Sequence, residues 1–292
     1  MDIPPAAGTL GPVVVGTDGS VHAAAATLWA AEEAFLRGQH LAVVHAMAPA
    51  GDLTAVSDDV LRMIEDSGRA VLDAAVGQVR HRHPDLPVHP VLTRDDPADA
   101  LLATADPRVT LVVGSRGLGG FAALLLGSVG LRVAARAPGP VVVVRGAAAR
   151  SVTGTVLVGA RDARDRPALR YAAQAARLRG AALRVLGTWA LVDQVGAVAP
   201  QADDLREVAR AQADATAEAL RPVREEFPDL PVTEEVLRAA SAAGALTHAS
   251  AGADLLVLGA RRTRYPLGPR LGRVAHAALH HAHCPVAVVP AG

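Results

Sequence analysis

Through the first half of the chain, short apolar runs alternate with longer stretches whose apolar residues recur every three or four positions. Val13–Val15, Leu41–Val44, Val88–Leu92, Thr110–Val113 and Val141–Val144 read as strands with few alternating polar positions, the pattern of a strand buried on both faces. Residues 20–37, 58–82, 96–105 and 128–136 read as helices. The second of these places Leu61, Ile64, Gly68, Val71, Leu72, Ala75, Val76 and Val79 on one stripe, a core-facing surface of period 3.6. Asp95 or Asp96 can cap the third, with Pro97 in its first turn. Strands separated by helices predict a parallel sheet covered on both faces. Right-handed crossovers make it a doubly wound α/β sandwich, in which ligands bind at the carboxyl ends of strands where the winding reverses.

The pattern occurs twice. Pro84-Asp-Leu-Pro-Val88 recurs as Pro228-Asp-Leu-Pro-Val232, and Val13–Gly16 matches the run ending Leu157-Val158-Gly159. Val112-Val113-Gly114 matches Val257-Leu258-Gly259, and Pro140–Val143 matches Pro285–Val288. The spacing between copies drifts only from 143 to 145 residues, which indicates duplication with small loop insertions and deletions. A linker of small residues near Gly146–Thr153 divides the 292 residues into expected domains 1–149 and 150–292. A hydrophobic content of 51% is ample for two cores.

Composition narrows the function. Lys+Arg and Asp+Glu balance at 29 each, and there are only three Phe, two Tyr and two Trp, so neither charge nor stacking surface argues for nucleic acid or an anionic membrane as partner. A single cysteine, Cys284, excludes an internal disulfide and suits a reducing compartment. The first residues carry no signal-peptide pattern and no apolar run approaches the ~20 residues of a membrane helix, so the expected location is the cytoplasm. The chain has no Lys and no Asn, as a GC-rich genome would produce. Without Lys, a P-loop and Schiff-base chemistry are both eliminated.

Three carboxyl ends of the predicted strands matter: Gly16-Thr17-Asp18-Gly19-Ser20, His45-Ala46, and Gly114 to Ser128. In the last, Gly114 is followed after two residues by Gly117 and after nine more by Gly127-Ser128. Glycines allow close backbone approach to a ligand, and a Gly-Ser pair opening a helix offers unpaired N–H donors and a hydroxyl to a phosphate. Asp18 has two readings, a ribose hydroxyl or base amine as its partner, or a cap for the helix beginning near Ser20. No acid lies between Asp106 and Asp162, whereas Arg108, Arg116, Arg132, Arg136, Arg145, Arg150 and Arg161 do, so an anion is expected to be welcome there. Gly117-Leu-Gly119-Gly-Phe-Ala122 also fits G-x-G-x-x-A of dinucleotide-binding folds, but it follows the fourth strand instead of the first and lacks the later acid.

Gly-x2-Gly-x9-Gly-Ser, the early Val-Gly-Thr-Asp-Gly-Ser and the closing Pro-Val-Val-Val-Val-Arg together resemble the universal stress protein family, ATP-binding branch, in a tandem arrangement common in actinobacteria. The resemblance covers nearly the whole chain, once per half. It implies two tandem doubly wound five-stranded parallel sheets of the Rossmann-like, adenine nucleotide alpha hydrolase-like kind, related as a pseudo-twofold repeat. It also implies an ATP-binding stress-response regulator, with ATP, with or without Mg2+, held by Gly16, Thr17 and Asp18, by the backbone near Ala46 at the adenine, and by Val113, Gly114, Gly117, Gly127, Ser128, Val129 and Gly130 at ribose and phosphates. Gly130 stands where the family usually has a second hydroxyl residue. The last strands of two domains would pair, either within the chain or in a homodimer.

The second half departs from the pattern. Gly159-Ala-Arg161-Asp162 replaces or displaces the acid, Arg262 stands for Gly117, and Gly272-Arg273 stands for Gly127-Ser128. An Arg at a close-approach position should occlude a phosphate path. Alternatively Arg262, Arg264, Arg270 and Arg273 grip another anion, or they form a solvated basic face. His276, His280, His281, His283 and Cys284 are weighed as metal ligands against the simpler reading of Cys284-Pro285 as the buried start of a strand. The apolar insert Phe121 to Leu126 reads as a lid more readily than as a membrane element. No catalytic constellation is evident, which leaves slow ATP hydrolysis or adenylate chemistry, and a nucleotide-free interaction module, as the rival readings.

Overall fold

The computed structural model describes residues 10–47, 57–118, 126–145, 152–189, 202–260, 263–265 and 268–291. The chain divides into two compact units, residues 1–150 and 151–292. In the first, strands β1 (Val13–Gly16), β2 (Leu41–Ala46), β3 (Val88–Thr93), β4 (Thr110–Gly114) and β5 (Val141–Val144) alternate with helices α1 (Val21–Arg37), α2 (Asp58–Arg82), α3 (Pro97–Ala103) and α4 (Ser128–Arg136). The strands lie in the order β3-β2-β1-β4-β5, all parallel. The winding reverses between β1 and β4, as the expected doubly wound sheet requires. The apolar runs of β1, β2, β4 and β5 fill the middle of the sandwich, with Val13, Val15, Leu41, Val43 and Val112 fully buried, whereas β3, read from sequence as buried on both faces, lies at the edge and is largely exposed.

Local chemistry fixes the helix ends. Ser20 caps α1 by accepting from Ala23 N at 3.2 Å, and Asp96 caps α3 by accepting from Ala98 N and Asp99 N at 2.9 and 3.2 Å. Helix α1 stops at Gly38, whose φ of 61° is the left-handed conformation that favours glycine. Just before this stop lies a buried ion pair. Arg37 donates from Nε and Nη2 to Glu33 Oε1 at 2.9 and 2.6 Å, and from Nη1 to Gly11 O and Thr110 Oγ1 at 3.0 and 2.9 Å.

Helix α2 departs from its predicted core-facing stripe. Gly68, Leu72, Ala75, Val76 and Val79 are buried, but Leu61 is only half-buried, and Ile64 is exposed along with Val60 and Met63. Length explains this: 25 helical residues span ~37 Å, whereas the six-residue strands β2 and β3 span ~20 Å each. Gly68 already sits against Met47 and Leu92 at the ends of those strands, so the turns before it overhang the sheet.

The second unit repeats the plan. Strands β6 (Thr155–Gly159), β7 (Ala182–Trp189), β8 (Val232–Arg238), β9 (Leu255–Ala260) and β12 (Val286–Pro290) form a parallel sheet in the order β8-β7-β6-β9-β12. Helices α5 (Arg166–Arg179), α6 (Ala202–Glu226), α7 (Ala242–Ala249) and α8 (Arg273–His281) connect them. Helix α5 also ends on a left-handed glycine, Gly180, with φ 59°. Two features depart from the first unit's pattern as read from sequence. A 3-10 turn, Ala163–Asp165, precedes α5, and a small antiparallel hairpin, β10 (Thr263–Tyr265) with β11 (Gly268–Arg270), follows β9. Three-residue strands are too short to show alternation. Among the described residues no helix is long and apolar enough to cross a membrane.

Candidate functional site

The switch point of the first unit opens into a cleft of about 370 Å³. All eleven residues singled out from sequence line it: Gly16, Thr17 and Asp18 after β1, Ala46 at the end of β2, Val113 and Gly114 at the end of β4, Gly117, and Gly127 to Gly130 at the start of α4. Pro97 and Leu101 of α3 form an apolar wall that the motifs did not reveal. Leu101 does show itself indirectly, because a Cβ on Gly16 would meet its Cδ1 at 2.9 Å.

The glycines have nearer neighbours than any ligand. A Cβ on Gly114 would lie 2.8 Å from the His22 carbonyl, so this glycine first lets the start of α1 pack on the end of β4. A Cβ on Gly117 would overlap Asp18 Oδ2. Asp18 in turn accepts from Ser20 N at 3.0 Å and from Leu118 N at 2.8 Å, so its carboxylate ties the β1 loop to the β4 loop across a hundred residues of sequence. The helix cap itself is Ser20, not Asp18. At the far end of the loop Gly127 N donates to Ser115 O at 2.8 Å, and no side chain caps α4, whose first N–H groups are left at the cleft. Near Gly127 and Gly130 there is ordinary space for a Cβ.

The run of arginines is less lopsided in space than in sequence. Arg132 pairs with Asp96 and Asp99 of α3 at 2.9 and 2.5 Å, and Arg136 with Asp99 at 3.3 Å. The acids missing from residues 107–161 are thus supplied by a neighbouring helix. Arg116 lines the cleft, and beside it burial and the Arg116 charge hold the His22 imidazole below its usual pKa, against the pull of Asp18. His45 Nδ1 lies 2.8 Å from the Thr17 carbonyl and fixes the turn after β1.

Comparison with known proteins accords with this geometry. The sequence profile of the Universal stress protein family matches residues 10–145 and again 153–290. The chain belongs to the universal stress protein family. A universal stress protein of Mycobacterium bovis is 31% identical over 290 residues, covering 94% of this chain and 96% of that one. Another, from Mycolicibacterium smegmatis, is 41% identical over 134 residues; that match spans only 46% of this chain and 45% of the relative, about half its length. A universal stress protein structure from Archaeoglobus fulgidus DSM 4304 superposes with a TM-score of 0.69 at 17% identity, covering 96% of this chain and 98% of that one, and so shares the fold.

The second universal stress protein domain keeps a cleft of its own, about 280 Å³. Its lining follows the first position by position: Gly159 to Arg161 for Gly16 to Asp18, Leu186 and Thr188 for Val44 and Ala46, Leu246 for Leu101, Gly259 for Gly114, and Gly272 to Ala275 for Gly127 to Gly130. The acid that matters there is not Asp162, the one read from sequence. Asp162 is turned to Arg164, whose Nη2 donates at 2.9 Å, and that bond holds its carboxyl below the usual range. Asp165 instead enters the cleft: its Oδ2 accepts from Arg161 N at 2.9 Å, and its Oδ1 lies 2.6 Å from where a Cβ of Gly259 would stand. Asp165 sits in the 3-10 turn, outside the motif spacing, which is why the sequence concealed it.

Arg262 and most of the Phe121–Leu126 insert lie outside the described residues, as does the Gly117–Ala122 match from Gly119 onward. Leu126 is buried. Of the weighed metal ligands, His276 and His280 face each other with ring centroids 4.5 Å apart, and Cys284 is buried at the start of the last strand. Among the described residues no three or more His, Cys, Asp or Glu side chains gather in a metal-holding group.

Proposed function

We propose that the first domain binds ATP in its cleft and that the chain acts as a nucleotide-dependent regulator of the stress response. The observation that carries this reading is the uncapped start of α4 at Ser128, opening onto the same cleft as the Asp18 carboxylate and the apolar wall of Leu101. Phosphates would take the free N–H groups and the Ser128 hydroxyl, with Arg116 adding positive charge. Asp18 has two of its acceptor sites filled by backbone N–H groups, and its remaining lone pairs would take ribose hydroxyls. The adenine would lie at the ends of β1 and β2 against Val44, Ala46 and Leu101. Any Mg2+ would be held mainly by the phosphates and water.

Binding is favoured over turnover because, among the described residues, Asp18 is the one carboxylate lining the cleft and both its oxygens are already engaged. Mass spectrometry of the ligand released from freshly purified, denatured protein should show ATP or another adenine nucleotide. A purified sample that neither carries nor binds adenine nucleotide would overturn the assignment, and turnover with Mg2+ near the ~10 s⁻¹ typical of enzymes would replace the regulator with an ATPase.

A further inference from the structure

The second cleft keeps a cavity but has different electrostatics. Its floor at Gly259 is a carboxyl, Asp165, which is 8% exposed, whereas the equivalent Gly114 faces backbone. Two cations line the same space, Arg161 and Arg273. Arg161 Nε lies 3.6 Å from Asp162, and Arg273 makes no ion pair among the described residues. The walls are the apolar side chains of Leu186, Leu246 and Leu258. A space of 280 Å³ is only ~8 Å across, so every charge around it acts within one Debye length of the others.

We infer that this second cleft is a proton-linked site for a small organic anion. Arg273 and Arg161 hold the anionic group, the three leucines hold an apolar body, and Asp165 is neutral when the site is filled. An ionised Asp165 would face the anion as a like charge in a confined space; a proton removes the repulsion and makes the carboxyl a donor. Burial already pushes the Asp165 carboxyl up, opposed by the Arg161 N–H and reinforced by Asp162. Because the anion prefers the protonated form, its affinity rises as pH falls through the Asp165 titration. Other charged groups near Asp165 are Arg161, Asp162 and Arg164 in its own loop, and the exposed pair of Arg166 on α5 with Glu218 on α6. Gln212 of α6, which donates to Arg161 O, is neutral, and β9 carries no charge. His276 lies one turn beyond Arg273 on α8.

Phenyl sulfate is a suitable probe, since it pairs an aromatic body with a charge that does not titrate in this range. Calorimetry on the full chain at about pH 5 and about pH 8 should show affinity about tenfold higher at the lower pH. Asp165→Asn should bind at the higher pH as the parent does at the lower, with little pH dependence left. Arg273→Ala should lose the binding at both. Neither change touches the first cleft, so ATP titration of the same samples stands or falls separately, and chemical denaturation of the full chain reports whether the second domain of each variant is folded. If Asp165→Asn keeps the parent's pH dependence, the proton is not on Asp165 and the inference is wrong. It is equally wrong if millimolar phenyl sulfate fails to bind or if Arg273→Ala changes nothing.

Discussion

The two domains repeat one backbone plan and meet its demands with different chemistry. Behind the C-terminal turn of α1, Arg37 is neutralised by Glu33 four residues earlier; at the same place on α5, Arg179 donates instead to the Ala175 carbonyl at 3.0 Å. Beneath the strand-end glycine, the first cleft has the backbone of His22 and the second has the Asp165 carboxyl. At the helix that closes the cleft, Ser128 opens one copy and Arg273 the other. The comparison teaches that duplication preserves what the sheet needs, namely apolar strands and glycines at strand ends. Groups that face a cavity or a buried charge are free to diverge, because only local neighbours constrain them.

The largest expected effect tests the difference in core chemistry. Glu33→Ala leaves the Arg37 guanidinium buried without its carboxylate, and breaking such a pair costs about 3–5 kcal/mol. Chemical denaturation should show the first domain unfolding early, with the second domain's transition unmoved. A loss below about 1 kcal/mol would mean that Arg37 is held by its bonds to Gly11 O and Thr110 Oγ1, as Arg179 is held by a carbonyl, and not by the carboxylate.

Next comes the contrast between the clefts. Titration should give one ATP per chain, and Gly117→Arg should abolish it, weakening binding more than about a hundredfold, equivalent to more than ~2.7 kcal/mol. Even the first atom of a side chain there overlaps Asp18 Oδ2, so both the carboxylate and the phosphate path are disturbed. Two equivalent ATP sites, or unchanged binding by the variant, would erase the asymmetry between the domains.

Ser128→Ala is expected to be milder. Losing one hydrogen bond to a charged group costs ~1.5–3 kcal/mol, so ATP affinity should fall roughly ten- to a hundredfold while adenosine affinity stays the same. Equal losses for both ligands would move Ser128 away from the phosphates. The smallest effect is a gain. A Cβ on Gly130 would meet Leu126 Cδ1 and Val113 Cγ2 at 3.4 and 3.5 Å, ordinary contact distances, so Gly130→Ser should fold normally. Its added hydroxyl at the start of α4 should tighten ATP by a few-fold; unchanged or weaker binding would place the phosphates elsewhere on the loop.

Much of the molecule was legible in one dimension. Apolar periodicity, a cap at Asp95 or Asp96 before Pro97 and the repeat are local properties, set by backbone conformation and by side chains three or four residues apart, so the first half of the chain declared its strands, helices and strand-end loops without help. The glycine spacing announced a cleft for the same reason. What tertiary structure alone decided concerns groups distant in sequence. Only packing shows that Gly114 is bare for the sake of α1, that Gly117 makes room for Asp18, and that Asp96 and Asp99 neutralise arginines more than thirty residues away. Only packing turns Asp165 into the second cleft while Asp162 looks outward, because which carboxylate is buried depends on how a 3-10 turn meets β9 and not on its distance from a motif. Periodicity follows from the bonds along the chain; burial, charge pairing and the shape of a site follow from what the folded chain brings alongside.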